Sequence, residues 1–119
     1  SSREIYERIK SGEVIGTADE YVPNRDEFGS IYQFLRREFR SAHDTLYLPH
    51  AVRVLRRQGI DIGYVKMKFI IRIFQELNLV GIDEQENDRY RFSITYTKNK
   101  TSLDKSNIYR RLKSQYSKQ

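Results

Sequence analysis

The chain has 119 residues, 38% hydrophobic and 32% charged, with a formal net charge of +6, which fits one folded domain with a modest core rather than a disordered segment. There is no cysteine, so disulfide frameworks and Cys-ligated zinc are excluded. No apolar run is long enough to span a membrane and no secretion signal opens the sequence, so the expectation is a cytoplasmic protein with no membrane partner.

The charge is uneven. Residues 1–60 carry ten basic and nine acidic side chains, and residues 61–119 carry twelve and seven. A basic C-terminal half points to a polyanionic partner, nucleic acid above all, although solubility also favours a non-zero charge. The first residue is Ser1 rather than Met, which suggests a piece of a longer protein.

The opening "SSREIYERIKSG" puts Ile5, Tyr6 and Ile9 on one face of a short helix ending at Gly12. Residues 13–22 read as a connector. A longer helix starts after Pro23, where Asn24 caps it and Glu27 reaches back as in a capping box. Phe28, Ile31, Tyr32, Leu35 and Phe39 form its apolar stripe, and Gly29 within it suggests a neighbour in close approach. Arg36, Arg37 and Arg40 at its end suit the helix dipole.

"TLYL" at 45–48 is a short strand candidate. Pro49 then opens a helix with Val52 and Leu55 inward and Arg53, Arg56 and Arg57 outward, stopped by Gly59. Asp61 is the expected cap of a third helix that runs to Leu77 and is apolar over more than half its girth, so it should pack on two sides. Next come "LNLVGID", an acidic turn at 84–88 and an alternating run over 89–96, the pattern of a β-hairpin. A last helix carries Ile108, Tyr109, Leu112 and Tyr116, with Thr101 or Ser106 as its cap.

Helix, strand, helix, helix, hairpin is the order of a winged-helix domain. The expected fold is therefore α+β and winged-helix-like: a three-helix core with a β-hairpin wing and flanking N- and C-terminal helices. Residues 1–22 would be a short helix and connector from a preceding region, and 23–119 the domain.

On the third helix Tyr64, Lys68, Arg72 and Gln75 share one stripe opposite Met67, Ile70, Phe74 and Leu77. In a helix-turn-helix the second helix meets the nucleic acid. Cations there would neutralise phosphates, Gln75 would hydrogen-bond, and Tyr64 would stack on an unpaired base. Arg53 and Arg57, the hairpin residues Arg89 and Arg91, and Lys98 and Lys100 of the basic tail complete the candidate DNA-binding set. The same stripe is also what the solvated side of an ordinary amphipathic helix looks like, and the acidic hairpin turn argues against a wing pressed on phosphates.

Nothing points to catalysis. His43 and His50 lack a third ligand at metal spacing. His43-Asp44 has no nucleophile motif beside it, and no Gly-rich phosphate loop occurs. No cofactor is expected in this chain.

Three stretches resemble the C-terminal domain of RecJ-type single-stranded-DNA-specific exonucleases of Gram-positive bacteria. Pro23, Arg25, Phe28 and Tyr32 match one motif; Phe74, Glu76 and Leu77 match a second; Lys100, Leu103, Ser106 and Tyr109 match a third. The resemblance implies a parent hydrolase that degrades single-stranded DNA from the 5′ end in repair and recombination, with divalent Mn or Mg held by N-terminal motifs absent here. This chain would then be an accessory domain whose partner is single-stranded DNA. The alternatives are a protein-interaction module, docking through Phe69 and Ile73 on the nuclease core or a repair protein, and a free-standing winged-helix regulator.

Overall fold

A computed structural model describes residues 1–38, 45–86, 89–94 and 101–117, with backbone alone at 45, 84–86 and 89–94. Phe39, Arg40, His43, Asp44, Lys98 and Lys100 lie outside the described residues. The elements are α1 (Ser2–Lys10), α2 (Ala18–Tyr21), α3 (Arg25–Glu38), β1 (Thr45–Tyr47), α4 (Leu48–Arg57), α5 (Tyr64–Glu76), β2 (Val80–Glu86), β3 (Arg89–Ile94), a 3-10 turn (Leu103–Lys105) and α6 (Asn107–Tyr116). The fold is α+β.

Local chemistry sets most of the boundaries. At the start of α3 the Glu27 N–H donates to Asn24 Oδ1 at 2.9 Å and the Asn24 N–H donates to Glu27 Oε1 at 3.0 Å, a closed capping box. α4 takes Pro49 in its first turn and is followed by Gly59 at φ +85°, a left-handed position that costs glycine little.

Three local expectations need correction. Asp61 does not cap α5: the N-cap is Gly63, and Asp61 Oδ1 instead lies 3.6 Å from Arg56 Nε. Gly29 has no close neighbour, since a Cβ built there meets nothing within 4 Å. The stretch read as a connector contains α2, where Thr17 and Glu20 form a capping box of their own. At the C-terminal end, Ser106 is the cap of α6, accepting from the Tyr109 N–H at 3.0 Å, while Ser102 rather than Thr101 starts the 3-10 turn.

The sheet is antiparallel with order β1-β3-β2. β2 and β3 pair in the register Val80↔Ile94 and Ile82↔Phe92, with an irregularity between Glu84 and Glu86. β1 joins through Leu46↔Tyr90, which makes β3 the central strand and ties the hairpin to the start of α4.

α5 runs between two apolar clusters, as its wide apolar girth requires. On one side Met67, Ile70 and Phe74 pack with Phe28, Ile31 and Leu35 of α3 and Leu55 of α4; the Phe74 ring lies 4.7 Å from Phe28 and 5.4 Å from Tyr32. On the other, Val65 and Phe69 pack with Tyr6 and Ile9 of α1 and Leu112 and Tyr116 of α6. Each large side chain so covered contributes about 1.5–3 kcal/mol. A buried ion pair crosses between elements: Lys66 Nζ lies 2.7 Å from Glu27 Oε1 and donates to the Asp19 carbonyl at 2.8 Å.

Candidate nucleic-acid interface

The polar stripe of α5 is not a free ridge. Ser2 and Ile5 of α1 lie beside Tyr64, Tyr6 covers Lys68, and Ile9 and Lys10 reach the neighbourhood of Arg72 and Gln75. α1 therefore runs lengthwise over the face expected to meet DNA. Lys68 is 9% exposed, with its Nζ 4.6 Å from the Tyr6 ring centroid, a cation–π contact that keeps an ammonium tolerable under cover. Tyr64 is half-buried and packs against the main core. Of the four, Gln75 is exposed and Arg72 partly so; the Arg72 guanidinium donates to Gln75 Oε1 at 3.0 Å. The expectation of four accessible side chains in a row is corrected at Lys68 and weakened at Tyr64.

The cover is anchored at its C-terminal end and through the segment that follows it. The Tyr116 hydroxyl of α6 donates to the Ile15 carbonyl at 2.7 Å and accepts from the Ile15 N–H at 3.4 Å. Burial pushes the Tyr116 phenol above its ordinary range, against the bond to Ile15, which lowers it; Tyr21 and Glu20 add to the rise. Gln115 donates to the carbonyls of Ile9 and Glu13 at the end of α1. The docking flank expected for a protein partner is corrected too, because Phe69 and Ile73 are buried within the chain's own core. The Tyr6 and Phe69 rings lie 4.6 Å apart.

The accessible cations sit elsewhere. Arg53, Arg56 and Arg57 are exposed on α4, and Arg36 and Arg37 are exposed at the end of α3. Arg37 donates to Gln58 Oε1 at 3.2 Å, which brings the two helix ends together. Arg56 faces Asp61, whereas Arg53 and Arg57 form no ion pair among the described residues. Spaced by four, they share one helix face.

Arg89 and Arg91 lie on the central strand, in register with acidic residues: Arg91 pairs with Asp83 and Arg89 with Glu86.

A groove of about 330 Å³ opens between α1, α5 and α6. Its base is apolar, from Phe69, Ile9 and Leu112, and its mouth carries Lys10, Arg72 and Arg111. The one carboxylate among the described lining residues, Glu76, accepts the Ile108 N–H at 3.3 and 3.4 Å, and so serves the first turn of α6. Lys10 and Arg111 were not singled out from the sequence. Arg111 lies in the basic C-terminal segment, so a compositional signal existed, but nothing linear joined it to Arg72.

Among the described residues no three His, Cys, Asp or Glu side chains converge as a metal site. Among the same residues no helix is long and apolar enough to cross a membrane.

Fold and surface together define a small basic α+β domain whose central helix is wrapped by its neighbours. Residues 16–119 match the family described as "Single-strand DNA-specific exonuclease, C terminal domain", and the chain belongs to that family. No curated protein and no solved structure matches it. The match begins after α1, the helix that covers the α5 stripe.

Proposed function

We propose that the chain is a winged-helix-like accessory domain that binds single-stranded DNA for the exonuclease of which its family forms the C-terminal part. The family membership supports the substrate class, and the order α3, β1, α4, α5, β2, β3 supports the winged-helix reading. The observation that carries the binding surface is the group of exposed arginines on α4 and the end of α3, with Arg53 and Arg57 on one face. Arginine recognises phosphate through a planar fork of donors, and backbone contacts of this kind position a strand without reading its sequence. Arg56 and Arg57 in the last turn of α4 also suit the helix dipole, but Arg53 lies further in and that role does not explain it. On this reading the domain holds substrate for repair and recombination in the cytoplasm, and the parent's metal-dependent core performs the hydrolysis.

Fluorescence anisotropy with a labelled single strand tests this. Replacing Arg53 and Arg57 together by Glu should weaken binding at least about tenfold, since each lost phosphate contact carries part of an electrostatic affinity. Unchanged circular dichroism would show that the fold survives. Equal affinity of the folded variant and the parent would reject the α4 surface.

A further inference from the structure

We infer that the groove between α1, α5 and α6 receives one unpaired nucleotide of single-stranded DNA, with its base against Ile108 and the Arg72 guanidinium and its flanking phosphates on Lys10 and Arg111. The inference rests on the DNA-binding reading above and adds a source of strand selectivity, which phosphate contacts on α4 do not supply.

Charge favours a nucleotide. Three cations from three helices lie at the mouth, and the one acid among the described lining residues, Glu76, is engaged by the backbone of α6. Shape favours it as well. Arg72 donates to Gln75 Oε1, which restricts the guanidinium and offers a fixed planar cation. Unpaired bases stack on arginine planes as they do on aromatic rings. The volume of about 330 Å³ lies at the lower end of small-ligand sites, enough for one nucleotide unit and too little for a duplex.

A peptide anchored by an aromatic side chain fits less well, because such an anchor fills a deep pocket. Here the Tyr6 and Phe69 rings at the base pack on each other and are 5% and 3% exposed. What the mouth presents is shallow aliphatic surface and a flat cation. A paired base cannot enter without unstacking, so the groove should discriminate against duplex DNA.

The test compares three probes by anisotropy on the intact chain: a normal single strand, the same strand with abasic sites, and a duplex. The normal strand should bind about tenfold more tightly than the abasic one, the size of one base stack. Arg72→Lys keeps the charge and removes the plane, so it should cut that preference to under about threefold. Arg111→Gln, at an exposed position, should weaken normal and abasic strands alike.

Equal binding of normal and abasic strands by the parent chain would overturn the inference, as would an unchanged preference in Arg72→Lys. Salt-sensitive but base-independent binding would defeat the groove and leave the α4 reading standing, whereas no DNA binding at all would defeat both. Competition by an acidic peptide for the groove, with no response there to the normal strand, would also overturn it.

Discussion

Replacing Lys66 by Met removes the charge that joins three elements. Its ammonium lies within 2.8 Å of both Glu27 oxygens and donates to the Asp19 carbonyl, so it links α5 to the first turn of α3 and to α2. The side chains of Lys66 and Glu27 are 7% and 19% exposed. Breaking a fully buried pair by removing one partner costs about 3–5 kcal/mol. Glu27 keeps some water and still accepts the Asn24 N–H, so the expected loss is about 2–3 kcal/mol. With a urea m-value of about 1–3 kcal/mol/M for a small domain, the unfolding midpoint should fall by about 0.7–3 M at constant m. Adding Glu27→Gln removes the stranded carboxylate while an amide still serves the capping box, so the double variant should recover much of the loss. A loss under about 0.5 kcal/mol in Lys66→Met would refute the reasoning, as would a double variant no more stable than the single one.

Tyr116→Phe deletes the bonds to Ile15 and should cost about 1–1.5 kcal/mol in the same assay. Because burial raises the Tyr116 phenol in the folded state, its contribution is complete below the ordinary tyrosine range and lost as pH rises through the raised value. Alkaline unfolding should therefore be shallower in Tyr116→Phe, and a parallel pH profile would contradict this. Gly29→Ala should stabilise by about 0.5–1 kcal/mol, since the site is exposed and open; destabilisation on thermal melting would show a hidden constraint. Lys68→Met should lose about 1 kcal/mol with the cation–π contact and leave strand affinity unchanged by anisotropy. A drop in affinity without a drop in stability would return Lys68 to the binding surface.

Elements whose cause is local were legible in the sequence. The Asn24–Glu27 box, the Pro49 start and Gly59 stop of α4, and the alternation of the hairpin each need only neighbours in the chain. The double-sided burial of α5 was legible from its apolar girth. Its covering partner was not, because periodicity shows that Ile5, Tyr6 and Ile9 share a face and not what that face meets. Helical spacing sets Lys68 opposite Met67, Ile70 and Phe74 and so at the surface; only the three-dimensional approach of Tyr6 reverses that. The pairing of β1 with β3 is likewise non-local, since it joins Leu46 to Tyr90. Of the candidate site, Arg53 and Arg57 keep the exposure expected of them, while the groove needed α1 and α6 in place before its cations could be seen together.

The most direct measurement for the central claim is the salt dependence of single-strand binding by the parent chain and by Arg53→Glu/Arg57→Glu. Affinity of the parent should fall linearly on a log–log plot, with a slope of about −0.7 for each phosphate neutralised. The variant should be shallower by about 1.4, two contacts' worth. Superimposable slopes, or binding by the parent that ignores salt, would contradict an α4 surface that grips the phosphate backbone.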